Sequence, residues 1–246
     1  MTSEVRTKDF VSILDFEPSE LEACLALVRQ NAETERRSEL VAIHPEAANL
    51  AYLGLYALQH RGQEAAGIVA SDGQELRLRR RLGLVAEAFT QEVLNSLPGS
   101  SAIGHTRYST AGENTPINTQ PILIKYHHGW LWCAHNGNLV NVQKIRRELE
   151  ENGSIFQSTM DTEVLIHLIA ASRKQVTEER IVDALMKVRG AYSLVFLTEN
   201  KMIVVRDPYG WRPLVVGKKS SPEGVKGDTW IVASETVALE AVGADF

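Results

Sequence analysis

The sequence has few cysteines, no long basic run and no long apolar run. Its 246 residues include two cysteines, Cys24 and Cys133, which are too few for a disulfide framework and suit a reducing cytoplasm. The net charge is −5 and no basic block exceeds Arg79–Arg81, so nucleic acid is not predicted as a partner. No apolar run approaches the roughly 20 residues of a membrane-spanning helix, and the polar amino terminus is unlike a signal peptide. We therefore expect a cytoplasmic protein with no membrane or nucleic-acid partner.

Metal-binding patterns are missing as well. His105 and the pair His127-His128 do not stand at a recognised spacing from cysteines or carboxylates, so no metal is predicted and these histidines are expected to be structural or on the surface. What the sequence does have is ordinary for a globular protein with a good core: the hydrophobic fraction is 44% and the charged fraction 23%.

Residues 1–40 differ in character from the rest of the chain. Ser19 and Glu22 have the spacing of a capping box, and an apolar stripe at helical spacing follows, so we expect a helical leader or linker. Residues 8–30 weakly resemble the start of ornithine and aspartate carbamoyltransferases, but no carbamoyl-phosphate loop of the Ser-Thr-Arg-Thr kind follows. That activity is therefore not predicted, and the main domain is placed at residues 41–246.

The pattern beyond residue 40 predicts an α+β fold, because hairpin-linked strands are interrupted by groups of helices. The predicted helices are Ala47–Leu58, Glu87–Leu97, Val142–Asn152, Thr162–Ser172 and Glu178–Val188. The first of them is expected to be buried on most sides. It is expected to end at Gly62, which would follow its C-cap. The predicted strands are Ala66–Ala70, Leu76–Leu84, Ala102–Tyr108, Ile122–Tyr126, one beginning at Trp130, Tyr192–Leu197, Met202–Arg206, Leu214–Val216 and Trp230–Ala233.

The stretch from Trp130 to Asn141 carries the first chemical signal. Its apolar run ends at Asn136-Gly137, a dipeptide typical of tight turns, and Asn138 or Asn141 can cap a following helix. Such a turn would expose the Asn136 side-chain amide and the Gly137 N–H at one point, which is the equipment of an oxyanion hole. The alternative interpretation is an ordinary hairpin-like turn.

Three further residues could bind an amino acid at both of its charged ends. Arg107 offers a planar guanidinium suited to a carboxylate, Asp161 offers a carboxylate suited to an ammonium group, and Thr110 offers a hydroxyl. The alternatives are a structural ion pair between Arg107 and Asp161, or Asp161 as the cap of the helix that begins at Thr162.

Six stretches in this order resemble one family over residues 44–246: HPEAANLAYLGLYALQHRGQEAAGIVASDG, GHTRYSTAG, AHNGNLVN, GSIFQSTMDTE, RGAYSLVFL and DPYGWRPLVVG. They resemble the glutaminase (class II glutamine amidotransferase) domain of amidophosphoribosyltransferases. The resemblance implies a four-layer αββα sandwich of the N-terminal-nucleophile hydrolase type. It also implies that Arg107 and Asp161 hold the α-carboxylate and α-ammonium of glutamine with help from Thr110, and that Asn136 and Gly137 form the oxyanion hole.

The sequence departs from the family where the nucleophile is expected. The family domain begins with a cysteine whose thiolate attacks the glutamine amide and whose free amine acts as base. The corresponding segment here, residues 37–43, contains no cysteine, and its one hydroxyl is that of Ser38. Cys24 lies upstream on the apolar stripe, and Cys133 stands at a strand position that suits a small apolar residue. The resemblance therefore implies a glutamine site that lacks its attacking sulfur.

The family's phosphoribosyltransferase half is also missing from the sequence. The resemblance further implies that the glutaminase domain at residues 41–246 lacks its first residues and its last strands, so the domain is predicted to be incomplete at both ends. No cofactor is expected in this chain, because Mg²⁺ with phosphoribosyl pyrophosphate would belong to that missing half. The implied function is glutamine hydrolysis that supplies ammonia for phosphoribosylamine formation in purine synthesis, impaired here. The alternative is a catalytically dead glutamine-binding module or a rearranged gene fragment. The implied partners are glutamine and either a second copy of the chain or a separate phosphoribosyltransferase domain.

Overall fold

The computed structural model describes residues 46–97, 99–108, 116–199, 201–220 and 228–246. The predicted leader, residues 1–40, and Thr110 lie outside the described residues. The helices are α1 Ala47–Ala57, α2 Val85–Ala88, α3 Gln91–Asn95, α4 Val142–Glu151, α5 Asp161–Ala171, α6 Thr177–Leu185 and α7 Thr236–Ala241, with short 3-10 turns at Gln59–Arg61 and Pro116–Asn118. The strands are β1 Ala65–Ser71, β2 Leu76–Leu82, β3 Ser101–Arg107, β4 Ile122–Tyr126, β5 Gly129–Leu139, β6 Gly190–Leu197, β7 Met202–Arg206, β8 Val215–Ser220 and β9 Asp228–Ala233.

Two antiparallel sheets stack face to face with a layer of helices outside each. The first sheet has the order β2-β1-β3 and the second β4-β5-β6-β7. Val69, Ile103, Trp132 and Leu197 fill the space between the sheets. Separate apolar clusters join the first sheet to α1, α2 and α3, and the second sheet to α4, α5 and α6. The result is the α+β, four-layer αββα sandwich that was expected from the resemblance.

The small residues of β1 let the two layers approach closely. All seven residues of this strand, AAGIVAS, are buried, as expected for a central strand covered on both faces. At Gly67, an added Cβ would lie 2.1 Å from the carbonyl oxygen of Gln120. The glycine is therefore required by the approach of the segment that leads into β4, and this contact brings Gln120 beside the cavity described below.

The structure corrects the prediction of a turn at Asn136-Gly137. Strand β5 runs without interruption through both residues to Leu139, and Asn136 lies opposite Ser193 and Gly137 opposite Tyr192 in β6. Gly137 is needed there because an added Cβ would lie 2.1 Å from the carbonyl oxygen of Ala191. Asn141 does occupy the N-cap position of α4 but forms no side-chain cap. Its side chain instead bonds the backbone of Lys187 and Arg189.

Three smaller predictions were wrong, and one helix was missed. Helix α1 is not buried on most sides, because Leu53 and Tyr56 are exposed. Gly62 has an extended backbone and is packed against the backbone of Arg107 rather than serving as a left-handed cap. The single helix expected around residues 87–97 is two short helices, α2 and α3, and α7 was not predicted.

Within the described residues, no helix is long and apolar enough to cross a bilayer.

Candidate functional site

A cavity of about 250 Å³ opens between the end of β3, the second half of β5, the start of α5 and the turn after β7. Its size suits one small metabolite, since pockets for drug-sized ligands hold roughly 300–1,000 Å³. Four of the predicted site residues line it together: Arg107, Asn136, Gly137 and Asp161. The first and the last of them, Arg107 and Asp161, are 54 positions apart in the sequence, and the fold brings all four to one place.

The N–H groups of β5 explain how a continuous strand can present a hydrogen-bond donor to the cavity. The pairing of β5 with β4 stops at Cys133, which lies opposite Ile122. After Cys133, the alternate N–H groups of β5 that point toward the β4 side have no neighbouring strand to bond. The N–H of His135 donates to Oε1 of Gln120 at 2.6 Å, and that of Leu139 donates to Oδ2 of Asp161 at 3.0 Å. Gly137 lies midway, so its N–H points the same way. No described side chain accepts it, and it faces the cavity as an available donor.

The side chain of Asn136 supplies a second donor at the same place. Its Nδ2 lies 3.5 Å from Oγ of Ser234, in the connection between β9 and α7. An amide nitrogen carries two hydrogens, so this contact leaves the second N–H for a ligand. Both residues line the cavity, and paired donors from adjacent residues are the kind of group that stabilises a developing oxyanion. The structure thus brings the two residues predicted as an oxyanion hole to the cavity, on a strand instead of a turn, and their role stays a prediction.

Asp161 is the first residue of α5 and carries its charge at neutral pH. Its Oδ1 lies 3.4 Å from Nδ1 of His135 and accepts a bond from the Thr162 hydroxyl at 3.3 Å. Burial acts to raise the pKa of Asp161, but the hydrogen bond and field of His135 and the N–H groups of Leu139 and Thr162 outweigh it and lower the pKa below its usual value. Asp161, for which a role as a simple helix cap was the alternative, therefore places a negative charge on the cavity wall.

Arg107 is buried at the end of β3 and is held from two sides. Its Nη1 donates to the carbonyl oxygen of Asn118, and its Nε lies 3.9 Å from Oε2 of Glu64. Asn118 in turn donates to Oγ1 of Thr159 at 3.2 Å, two residues before Asp161. Arg107 and Asp161 thus both line the cavity, and the contacts of Asn118 and Thr159 connect the segments that carry them.

Cys133 and the histidines do not provide a nucleophile or a metal site in the described part of the chain. Cys133 is buried in the core between the second sheet and its helices, and burial together with the charge of Asp161 raises the pKa of its thiol far above the usual range. His105 is buried and its pKa is lowered to about 4, chiefly by burial, so it is neutral at pH 7. Among the described residues, no group of three side chains could hold a metal ion.

Sequence reasoning missed three residues that help to form the site. Gln120 clamps the backbone of His135, accepting from its N–H at 2.6 Å and donating to its carbonyl oxygen at 3.4 Å. Ser234 contacts Asn136, and Arg212 lines the cavity from the turn after β7. The stretch DPYGWRPLVVG was among those that carry the family resemblance, but no role was assigned to the arginine within it.

Comparison with known proteins gives consistent matches. The family model described as a glutamine amidotransferase domain matches residues 105–241. Amidophosphoribosyltransferase 1, chloroplastic, of Arabidopsis thaliana is 51% identical over 203 residues, which make up 82% of this chain and 35% of that protein. The amidophosphoribosyltransferase of Bacillus subtilis is 46% identical over 204 residues, 82% of this chain and 41% of that protein.

Solved structures agree with the sequence matches. Glutamine phosphoribosylpyrophosphate amidotransferase from B. subtilis, complexed with ADP and GMP, superposes with a TM-score of 0.74 at 45% identity, covering 82% of this chain and 42% of that chain. A structure described as the allosteric regulatory enzyme of purine biosynthesis gives a TM-score of 0.76 at 46% identity, with the same coverage. The chain thus spans well under half the length of these relatives.

Proposed function

The chain belongs to the glutamine amidotransferase family and corresponds to the amidotransferase region of amidophosphoribosyltransferases, and from that premise we propose that its cavity binds L-glutamine. The observation that supports this most directly is the shared cavity of Arg107, Asp161, Asn136 and Gly137. The cation, the anion and the two N–H donors of β5 that line this cavity match the three polar groups of one amino acid: its carboxylate, its ammonium and its side-chain carbonyl.

In the proposed complex, Arg107 binds the α-carboxylate and Asp161 binds the α-ammonium. A guanidinium offers two parallel N–H bonds to a carboxylate, and the lowered pKa of Asp161 keeps it negative at neutral pH. Asn136 Nδ2 and the Gly137 N–H then lie at the amide end, where they polarise the side-chain carbonyl. Thr110, which lies outside the described residues, is proposed to assist Arg107.

For the complete protein we propose glutamine hydrolysis that supplies ammonia for phosphoribosylamine formation in purine synthesis. That second reaction would need a phosphoribosyltransferase domain, with Mg²⁺ and phosphoribosyl pyrophosphate, either in another part of the protein or in a partner. The assignment to the cytoplasm and a homo-oligomeric assembly belong to the same proposal.

A second candidate function is glutamine binding without cleavage. In the described part of the chain, the cavity lining contains no cysteine, and Cys133 is buried with a raised pKa. A thiolate is the attacking group that the chemistry needs, and residues 37–43 contain none. We therefore propose that the binding half of the site is complete and that hydrolysis by this chain is impaired.

Thermal unfolding with and without L-glutamine, run beside an ammonia-release assay, tests both candidates. A ligand at a hundred times its Kd stabilises the folded state by about 2.7 kcal/mol, which corresponds to a rise of roughly 5–10 °C in Tm for a domain of this size. Arg107→Gln should abolish that rise, because it removes the partner of the α-carboxylate. Arg79→Gln, which makes the same change on the exposed strand β2, should leave it intact.

The outcomes separate the candidates. A glutamine-dependent rise in Tm without ammonia release supports the binding module with impaired hydrolysis. Ammonia release that Arg107→Gln abolishes shows that the chain is an active glutaminase and overturns the impairment. If glutamine does not raise the Tm of the unaltered protein and no ammonia is released, the assignment of the cavity to glutamine is wrong.

A further inference from the structure

Strand β5 has an open edge where it borders the cavity. From Ala134 to Leu139, its one described strand neighbour is β6, on the other side. An unpaired strand edge is free to shift or to bond other groups, whereas an oxyanion hole needs donors whose direction is fixed before the ligand arrives. The N–H of Gly137 lies on this open edge, so its direction depends on whatever else holds the strand there.

The side chain of Gln120 takes the place of a neighbouring strand at His135. Its Oε1 accepts the His135 N–H at 2.6 Å, and its Nε2 donates to the His135 carbonyl oxygen at 3.4 Å. These are the two bonds that an antiparallel neighbour would form with the same residue. Gln120 is buried, and its own carbonyl oxygen lies against Gly67 of β1. The amide that replaces the strand is therefore held at both its backbone and its side chain.

His105 of the first sheet bonds the same carbonyl group. Its Nε2 lies 3.2 Å from the His135 carbonyl oxygen, and because a carbonyl oxygen can only accept, this nitrogen carries the ring proton. Burial lowers the pKa of His105 to about 4, so the ring is neutral at pH 7 and adds no charge to the cavity. Gln120 and His105 together hold the backbone of His135, two residues before Gly137 and on the same edge of β5.

We infer that Gln120 is a positioning residue for the Gly137 N–H and therefore acts on the side-chain amide of the ligand, not on its α-carbon groups. This inference rests on the proposed function, in which the Gly137 N–H meets the side-chain carbonyl of glutamine. N–H groups two residues apart in a strand point the same way, so fixing the backbone of His135 fixes the direction of the Gly137 N–H. The proposed partners of the α-carbon groups, Arg107 and Asp161, are carried by β3 and α5 rather than by β5.

Isothermal titration of the full chain with L-glutamine and L-norvaline tests this role. L-norvaline has the α-carbon groups and the side-chain carbons of glutamine but no amide. Gln120→Met removes both bonds to His135 at a similar side-chain length. It should weaken L-glutamine about fivefold, the scale of one neutral hydrogen bond, and should change the Kd of L-norvaline by less than about twofold. Gln143→Met makes the same change at an exposed position of α4 and should change neither Kd.

The four dissociation constants form a double-mutant cycle between the Gln120 side chain and the ligand amide. A role in folding alone would weaken both ligands by the same factor. Equal losses, or no loss, therefore refute the positioning role although the glutamine site stands. If the unaltered protein binds L-norvaline as tightly as L-glutamine, the site gains nothing from the ligand amide and the inference is refuted as well. If it binds neither ligand, the proposed function itself fails and takes the inference with it.

The amide resonance of Gly137 in the ¹⁵N-labelled chain is a second readout, which does not depend on the affinity of L-norvaline. Saturating L-glutamine should shift this resonance in the unaltered protein and shift it less in Gln120→Met. An equal shift in the two proteins would mean that the donor keeps its direction without Gln120, which contradicts the inference. Gln120→Glu keeps an oxygen to accept the His135 N–H, and it replaces Gln120→Met in both experiments if circular dichroism shows that the methionine variant does not fold.

Discussion

At the scale of single residues, Gly137 is a position where one added methyl group should destabilise the fold. An added Cβ there would lie 2.1 Å from the carbonyl oxygen of Ala191 and 2.8 Å from Cα of Tyr192, and these backbone atoms cannot rotate away. We predict that Gly137→Ala lowers the free energy of unfolding by about 3 kcal/mol, the upper part of the usual range for overpacking. Urea denaturation followed by circular dichroism measures it.

Gly54 is the matched control for the same chemical change. It lies inside α1, and an added Cβ would meet the Cβ of Ala238 at 3.8 Å, an ordinary contact. Alanine is favoured over glycine in a helix, so Gly54→Ala should stabilise the protein by about 0.5–1 kcal/mol. Two variants of equal stability would mean that β6 can withdraw from β5 at Gly137, which contradicts the close approach described here.

The same residue shows what the sequence could and could not reveal about the site. Asn136 and Gly137 were selected as a donor pair because amide side chains and glycines beside a strand are typical of such sites, and the structure places both at the cavity. The prediction of a turn was wrong because glycine can be required for either of two reasons, a positive φ or a close neighbour. Local sequence does not distinguish them. The Cβ contact that decides the matter involves Ala191, which is more than fifty residues away in the chain.

At the scale of elements, the connection between β7 and β8 depends on one buried carboxylate. Asp207 is fully buried and accepts three backbone N–H groups. We predict that Asp207→Ala costs about 3 kcal/mol of stability or more, because the three donors lose their acceptor in a site with little water. Asp207→Asn keeps one oxygen and should cost less. Chemical denaturation measures both values.

Asp72 offers the comparison on the surface. Its carboxylate also accepts two backbone N–H groups, those of Gln74 and Glu75, but in the exposed turn between β1 and β2. Water replaces the lost acceptor there, so Asp72→Ala should destabilise the protein much less than Asp207→Ala. Equal losses at the two positions would show that burial does not decide the strength of these turns.

Elements with a strong pattern were predicted well, and those governed by distant packing were not. Strands β4 and β7 have the predicted limits, because each is a short apolar run between clear breaks. The burial of α1 was overestimated, since an apolar sequence does not show which neighbours cover it, and Leu53 and Tyr56 are exposed. The position of Arg212 at the cavity could not be predicted, because it depends on how the turn after β7 is placed against β6.

At the scale of the whole molecule, the stacked sheets share one core while the carboxyl-terminal unit has its own. Leu197 is fully buried between the two sheets with Val69 and Trp132. Leu239 is fully buried in a separate cluster that joins α7 to β8, β9 and Leu50 of α1. Because cooperative units follow contiguous cores, we expect the four-layer sandwich to unfold as one unit and the β8-β9-α7 unit to open at a lower free energy.

Hydrogen exchange of two leucine variants tests this division. Leu197→Ala should cost about 2–5 kcal/mol, as buried leucines usually do, and should reduce amide protection in both β1 and β6, which belong to different sheets. Leu239→Ala removes the same atoms from the other cluster. It should reduce protection in β8, β9 and α7 while β1 and β6 keep most of theirs.

The carboxyl-terminal unit also contacts the cavity, so the hydrogen-exchange result bears on the candidate site. Ser234 and Glu235 connect the carboxyl-terminal unit to Asn136 and Arg61 at the cavity. If Leu239→Ala reduces protection in every strand equally, these contacts make the unit part of a single cooperative structure, and the division is wrong. If the division holds, opening of the β8-β9-α7 unit removes Ser234 from Asn136 without unfolding the sandwich. Ligand affinity should then fall in Leu239→Ala under conditions where β5 remains fully protected.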